Sequence, residues 1–404
     1  MTASLPQHAP GSVTDSDGGG SPPLDRTLQP APDAEVEAAL VTPDSLSQAD
    51  RAQWRLLVAS RCESAPFVDE DWVAAWIQAF GPREPLLVGG WEPGQLVGLG
   101  ALQSLSESWA GQRVRVLQSL TNLQSSRFEF LSSCCRVDVQ EQLWRTLCEV
   151  GRWDVIRLDH LPEDSPTLGA GLKVADELGW NRVVEETFES PWRSLPRPPV
   201  AWDDGLKRKF KANLRNRDRR LRTLGEVTFE VIRGGAEQQA ALEVFYALEK
   251  KGWKGERGTA IAQHACTKAF YDRLVKRTGP YLWIPILSVA GQAVAAQLVR
   301  VHGRTLFMLK TAFDPDFSPY TPGQLLTAHL MRHGIDSGME ALDFLAANMT
   351  WKTDWAPRLR PHYRLSLFAP SARGRYAYWT HYGIREHVKK IPGARRLVRW
   401  LRAR

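Results

Sequence analysis

Residues 306–345 read LFMLKTAFDPDFSPYTPGQLLTAHLMRHGIDSGMEALDFL. This stretch is the most informative part of the chain for chemistry. Thr321-Pro322-Gly323 opens an amphipathic helix, with Thr321 suited to the N-cap and Pro322 to the first helical position. Gly323 removes a side chain where a ligand would approach the first turn. Unpaired N–H groups and the positive end of the helix dipole would make that turn a seat for an anion such as a pyrophosphate. A capped helix with no ligand uses the same residues. Lys310 lies in the middle of the preceding strand, where it either lines a cleft and contacts a phosphate or polarises a carbonyl, or faces solvent. Group transfer in general needs a base for the incoming nucleophile, donors for developing negative charge and an acid for the leaving group. The nearby carboxylates are Asp314, Asp316 and Asp343. Asp343 sits among apolar neighbours in ALDFL, where burial without a partner would raise its pKa. The alternative is structural, with Asp343 accepting hydrogen bonds from the backbone or from Lys352.

Other constellations are weaker. Trp253-Lys254-Gly255-Glu256 follows a helix capped by Gly252 and opens a polar, Gly-rich loop, a reasonable place for Trp253, Lys254 and Glu256 to meet an acceptor substrate. His329 and His333 share a helical face at a metal-compatible spacing, but no Glu or Cys accompanies them, so packing or solvent roles are expected and no metal. The segment LKRKFKANLRNRDRRLRTLG carries Lys207, Arg208, Lys209, Lys211, Arg215, Arg217, Arg219, Arg220 and Arg222 around an apolar stripe of Leu206, Phe210, Leu214 and Leu221. Such a helix docks by its stripe and presents its charge outward. That charge is either a solvated face or a surface for an anion: a coenzyme phosphate, an RNA backbone, a lipid head group or an acidic glycan.

The elements that must position these residues follow from periodicity and punctuation. Helices are expected at Ser47–Ala59, Glu70–Phe80, Val139–Val150 and Thr167–Leu178. Strands are expected at Pro85–Trp91, Gln95–Gln103, Gln112–Gln118, Asp154–Asp159 and Arg182–Thr187. The Pro-rich stretch from Pro191 to Pro199 reads as a boundary. Beyond it come a basic helix (Asp204–Leu224), a strand (Val227–Ile232) and helices at Ala236–Lys250 and Gln263–Arg277. Strands follow at Tyr281–Val289, Ala293–Val301 and Thr305–Phe313, then a helix (Gly323–Asp336) and strands at Ala341–Leu345 and Tyr363–Phe368. LLVGGWEPGQLVGLGAL in the first half and LWIPILSVAGQAVAAQLV in the second both read strand, tight turn, strand. The expected class is α/β with a mixed, mostly antiparallel sheet, built from two similar units.

Composition sets outer limits. The chain has 404 residues, 43% of them hydrophobic, enough for two domains plus tails. Residues 1–45, rich in Pro, Ser, Gly and Asp, are expected to be a disordered tail. They precede a first domain at 46–195 and a second at 196–370, with a basic amphipathic tail at 371–404. In that tail Arg395, Arg396, Arg399, Arg402 and Arg404 flank Leu397, Val398, Trp400 and Leu401, a pattern able to lie on an anionic membrane surface. No secretory leader is expected, nor a span of about 20 apolar residues. Five unpatterned cysteines suit a reducing, cytoplasmic compartment, peripheral to the inner membrane if the tail binds there. The net charge of +7 is concentrated at 207–222 and beyond 371.

Residues 205–368 resemble the acetyltransferase domain of cellulose-biosynthesis CelD-type proteins, a branch of the GNAT superfamily. The carrying segments are GWKGERGTAIA (252–262), GQAVAAQLV (291–299), TPGQLL (321–326) and LDFLAANMTWKTDWA (342–356). The resemblance implies a GNAT-like fold, here two tandem units, and a donor that is acetyl-CoA or another acyl-CoA. It implies that Leu309–Phe313, with Lys310 and Thr311, face the pantetheine arm. Thr321, Gly323, Gln324 and Leu325 would form the loop that takes the pyrophosphate. Asp343, Asp314 and Lys352 would be the catalytic groups and no metal would take part. The acceptor would be a small molecule or a cell-envelope or exopolysaccharide precursor offering an amine or hydroxyl. Related domains carry acidic residues and a Tyr where this chain has Asn348, Met349 and Trp351, so the base lies elsewhere, the acceptor arrives deprotonated, or the protein is a silent binding or assembly factor. The doubled outline also resembles the Fem-type peptidoglycan aminoacyltransferases. On that alternative the donor is aminoacyl-tRNA and the basic helix holds RNA.

Overall fold

The computed structural model describes residues 35–60, 65–82, 84–133, 136–197, 200–345, 348–356 and 358–383. The first half runs β1 (Glu37–Val41), α1 (Gln48–Ser60), α2 (Glu70–Phe80), β2 (Pro85–Glu92), β3 (Gln95–Trp109), β4 (Gln112–Ser119), β5 (Leu131–Ser132), α3 (Val137–Glu149), β6 (Val155–Pro162), α4 (Pro166–Glu177) and β7 (Asn181–Ser194). The second runs α5 (Arg208–Arg222), β8 (Val227–Arg233), α6 (Ala236–Lys251), α7 (Trp253–Glu256), α8 (Ala265–Thr278), β9 (Leu282–Val289), β10 (Gln292–His302), β11 (Thr305–Phe313), α9 (Pro322–Asp336), β12 (Ala341–Asp343), α10 (Thr350–Thr353), β13 (Arg358–Phe368) and α11 (Ala372–Tyr378).

Local chemistry explains where these elements begin and end. Asp69 caps α2 by accepting from the Trp72 amide at 3.0 Å, and Gly81 closes it in the left-handed region at φ 56°. Ala290 and Gly291 both take positive φ (48° and 79°), the geometry of a two-residue hairpin turn, and join β9 to β10. β9 is buried along its whole length, which is why its sequence is a continuous apolar run rather than an alternating one.

The halves repeat one plan: strand, two helices, three antiparallel strands, helix, strand, and a final strand. In each, the fifth principal strand lies parallel to the fourth, β6 to β4 and β12 to β11. All strands join one sheet in the order β1-β2-β3-β4-β6-β13-β7-β12-β11-β10-β9-β8, with β5 pairing β3. The last strand of the second half, β13, lies between β6 and β7 of the first. β7 in turn pairs with β12 of the second half.

The expected division at 195/196 therefore marks no break in the sheet. Pro191, read as linker, lies inside β7, which extends to Ser194. β12 ends beside it, so on that edge only the Pro191 carbonyl is used, accepting from Phe344 N at 2.9 Å. One core is common to both halves: Trp54, Phe67 and Trp72 from the first pack with Phe245, Phe270 and Phe307 from the second. Trp72 meets Phe270 edge-on with centroids 5.1 Å apart. Separate cores cover the opposite face, one under α3 and α4 and one under α5 and α9.

Both expected tails begin later or earlier than composition suggests. Residues 37–41 form β1 because EAALV pairs antiparallel with β2, so order starts before residue 46. The remainder of the expected N-terminal tail, 1–34, lies outside the described residues. At the other end α11 packs on the sheet, with Ala377 buried and Tyr378 and Tyr382 against Phe368. The basic stretch 384–404, with its proposed membrane surface, also lies outside the described residues. Among the described residues no helix is long and apolar enough to cross a membrane.

Candidate functional site

β11 is paired with β10 along its length, but with β12 only from Thr305 to Phe307. In register with β10, Leu298 opposes Lys310 and Val299 opposes Met308, so Leu309 is the extra residue of a bulge. β12 stops at Asp343, opposite Phe307, and the chain turns away at Leu345, held at φ 49°. A non-glycine residue in that region carries strain that the surrounding contacts must sustain. Among the described residues no strand lies beside that edge of β11 from Met308 to Phe313. A cleft of about 560 Å³ opens there, between the free edge, the first turn of α9 and the segments around α7 and α10.

The residues lining the cleft include Trp253, Lys254, Lys310, Thr311, Thr321, Gly323, Gln324 and Lys352 among those expected from the sequence. Met308, Phe313, Phe344, Met349 and Trp351 add an apolar lining. Thr321 does not cap α9 in the expected way. The preceding turn closes through Thr321 N to Ser318 O at 3.0 Å and forces Thr321 into the left-handed region, φ 48°. Its hydroxyl makes no capping bond and has no hydrogen-bond partner. The Gln324 and Leu325 amides both donate to Thr321 O, at 2.9 and 3.2 Å, and Pro322 has none. Among the described residues Gly323 thus holds the one bare amide of the turn. A Cβ on Gly323 would stand 3.3 Å from Thr311 Cγ2 and 3.7 Å from Phe313 Cδ1, so its absence lets the start of α9 lie close against β11 at the cleft. Gln324 is oriented by Arg217 of the basic helix α5, which donates to its Oε1 at 2.9 Å. Leu325 contributes only backbone here, because its side chain is buried in the core under α5 and α9.

Three lysines line the cleft. Lys254 pairs with the buried Glu249 at 2.7 Å and reaches the Thr311 carbonyl at 3.4 Å. Lys352 is buried and donates to the carbonyls of Phe344 (3.2 Å) and Leu345 (2.7 Å) at the end of β12. Burial pulls its ammonium down to about 8, the charge of Asp343 opposing and that of Lys310 assisting. Lys310 is likewise drawn to about 8, first by burial and then by Lys254, against Glu249. Among the described residues that line the cleft there is no carboxylate and no imidazole.

The expected carboxylates stand elsewhere. Asp343 is buried under the end of β12. Its Oδ1 accepts from Ser190 Oγ (2.7 Å) and Leu345 N (2.8 Å), and its Oδ2 faces Arg127 at 3.6 Å and Arg360 at 3.7 Å. Two guanidinium groups and two hydrogen bonds make it a structural ion that holds the Leu345 turn, rather than a free base. Asp314 is also buried, pairing with Lys251 at 2.9 Å and capping the turn at Asp316 N. Asp316 and Glu256 are exposed and outside the lining. His329 stacks on Phe229 with centroids 5.2 Å apart, and His333 packs edge-on against Phe229 and Trp283, so both are packing residues.

Two contributors were not singled out by the sequence reading. Glu249 lies on the buried face of α6 beside Phe245 and Leu248, and a charge on an apolar face is the signal that could have found it. Arg127 comes from the first half and gives no local signal at all. The first half also shows what the cleft would be without its opening. There, after β4, Phe128 N donates to His160 O of β6 at 3.0 Å, and β5 pairs with β3. Phe130 packs on Trp144 and stands where a Cβ on Gly100 would fall. That half is filled by its own chain.

Residues 208–353 match the family described as acetyltransferase (GNAT) domain. The fold is GNAT-like. Around the matched domain the whole two-unit GNAT-like arrangement is similar to that of FemX, at 11% identity and TM-score 0.58, covering 85% of this chain and 99% of that one. It is similar as well to the C-terminal domain of a putative lysylphosphatidylglycerol synthetase from Agrobacterium fabrum: 13% identity, TM-score 0.53, 81% of this chain and 93% of that one. A third similar structure is a conserved protein of unknown function from Bacteroides thetaiotaomicron, at 11% identity and TM-score 0.50, covering 80% and 98%. No curated protein matches the chain by sequence. At these identities the structures show a shared fold alone and nothing about activity or substrate.

Proposed function

We propose that the second-half cleft transfers an acyl group from acyl-CoA to an amine or hydroxyl acceptor. The observation that carries this reading is the free edge of β11 running into an unfilled α9 turn, in the half whose twin is plugged by its own chain. The residues present suit a coenzyme of this shape. Backbone groups on the open edge of Met308–Phe313, other than the Thr311 carbonyl that takes Lys254, can pair with the amides of a pantetheine arm. The bare Gly323 amide, the Thr321 hydroxyl and the Gln324 amide held by Arg217 offer donors to a diphosphate at the positive end of α9.

When bound, the coenzyme supplies an activated acyl carbon and a thiol leaving group. The chain's own part is to orient, to exclude water and to stabilise charge. Lys352, fixed by two carbonyls next to the point where β11 and β12 separate, brings positive charge toward the oxyanion that develops as the acceptor attacks. The acceptor's N–H or O–H proton must leave as the new bond to the acyl carbon forms and the carbon–sulfur bond breaks. With no carboxylate or imidazole among the described lining residues, that proton goes to the departing sulfur or to water. Trp253, Met349 and Trp351 form an apolar rim that limits access of bulk water.

The second reading, an aminoacyl-tRNA donor, is favoured by the two-unit fold shared with FemX and by the basic α5 beside the cleft. Thermal melting with acetyl-CoA, longer acyl-CoAs and charged tRNA separates the two. Acyl-CoA protection that survives moderate salt supports the first reading. Protection by charged tRNA alone, fading steeply with salt, replaces it with the second. Binding of neither would leave a silent assembly factor.

A further inference from the structure

The cations of the basic helix α5 are not used alike. Lys211, Arg215, Asp218 and Arg222 follow one another at helical spacing along one flank. There the chain neutralises its own charge: Asp203 pairs with Lys211 (3.7 Å) and Arg215 (3.3 Å), and Asp218 with Arg222 (2.9 Å). Arg217 and Arg220, one turn apart, lie off that flank and have only neutral partners among the described residues. Arg217 donates to Gln324 Oε1 at 2.9 Å, and the Arg220 guanidinium lies over the Tyr320 ring, 5.3 Å from its centroid. The carboxylates of the turn before α9 act elsewhere. Asp314 pairs with Lys251 of α6, and Asp316 adds its charge to the same lysine.

Gln324 lines the cleft, and Tyr320 adjoins Thr321, which lines it too. Arg217 and Arg220 therefore stand at the α9 end of the cleft, where a diphosphate seated on Gly323 would lead out into its nucleotide. Coenzyme A carries a further phosphate on that nucleotide, a monoester on the ribose 3′ oxygen that is largely dianionic at neutral pH. Planar guanidinium forks suit such a group, and charge-assisted hydrogen bonds to it are strong. An RNA backbone would instead draw on cations along the whole helix, yet one flank is already taken up by Asp203 and Asp218. Resting on the acyl-CoA reading above, we propose that Arg217 and Arg220 bind the 3′-phosphate of the coenzyme and make the protein selective for it over its 3′-dephospho form. Arg217 then serves twice, holding Gln324 at the diphosphate and meeting the second phosphate with its remaining N–H groups.

Calorimetric titration of the full-length protein with acetyl-CoA and with 3′-dephospho-acetyl-CoA, at low salt, is the test. Acetyl-CoA is expected to bind tenfold or more tightly, about 1.4 kcal/mol, and the ratio shrinks as salt is raised. In Arg220→Gln the ratio falls toward one while the dephospho form binds as before, which also shows that the variant is folded. In Arg217→Gln both forms weaken, because Gln324 is released, but acetyl-CoA weakens more. Arg222→Gln, on the neutralised flank, keeps the ratio of the native protein. Equal binding of the two coenzymes by the native protein, or a ratio unchanged in both Arg217→Gln and Arg220→Gln, overturns the proposal while leaving the acyl-CoA reading in place. An equal loss of both forms in Arg220→Gln overturns it too, since Arg220 would then serve the diphosphate or the fold. Binding of neither coenzyme overturns both readings together. Charged tRNA bound in their stead, and lost in Arg220→Gln, would give this face to RNA.

Discussion

Lys310 and Lys352 place two ammonium groups where water is scarce, and this has consequences for stability. The pKa of Lys310 falls from 10.5 to about 8 on folding. Between those values the unfolded chain binds a proton that the folded chain does not, so stability rises as pH climbs from about 8 to about 10.5. Below pH 8 the full cost of the buried charge is present. Replacing Lys310 by Met is thus expected to stabilise the ligand-free protein at pH 7, on the order of 1 to 2 kcal/mol, with the gain vanishing near pH 10.5. Urea titrations at the two pH values measure this, and an equal effect at both would refute it. Lys352 differs because it ties down the Phe344 and Leu345 carbonyls. Lys352→Met is expected to lower turnover by roughly 10²- to 10³-fold while coenzyme affinity changes little. Single-turnover rates alongside titration of CoA separate these effects.

At the scale of elements, the cleft depends on two strands that part and a helix that starts with almost no side chain. Gly323→Ala puts a methyl 3.3 Å from Thr311 Cγ2, tight enough to push strand and helix apart but not to unfold either. Alanine is also the better helix former, by up to about 1 kcal/mol in a helix interior and less near its start. Melting temperature should hold or rise while acetyl-CoA affinity falls about tenfold, the opposite signs being the diagnostic feature. A variant in which both fall together would mean that Gly323 serves the fold alone. The turn at Leu345 is an element-scale device of the same kind. Asp343 bonds its amide and Lys352 its carbonyl, so the buried carboxylate and the cleft lysine are joined through one strained residue.

For the whole molecule, strand exchange makes the halves interdependent. β13 completes the first half's sheet and β7 reaches the second's, with Arg127 of the first half on Asp343 of the second. Arg127→Met leaves Asp343 with one cation and is expected to destabilise the entire protein by about 3 kcal/mol. The loss should appear in a single unfolding transition seen alike by circular dichroism and by tryptophan fluorescence. A chain ending at residue 356 lacks β13 and should lose protection against proteolysis in both halves. Survival of an intact first-half fragment would show that the halves fold independently.

The sequence determined most of the elements and the place of the cleft. Helix α2 and strand β11 stand where apolar period and turn residues put them, and Lys310, Thr321, Gly323, Gln324, Lys254 and Lys352 all meet at the opening expected around them. These signals are local: a cap, a proline, a period of two or 3.6 residues is written within a few positions. What the sequence could not decide is which side chain pairs with which across long separations. Asp343 read as a base because its neighbours in the chain are apolar, yet Arg127, Ser190 and Arg360 surround it from three distant segments. That Pro191 lies inside a strand rather than a join was hidden for the same reason, since β13 finds its partners about two hundred positions upstream. Burial fixes the energy of a charge, and burial belongs to the packed chain, so the partners and surroundings of each ionisable group were decided only by tertiary structure.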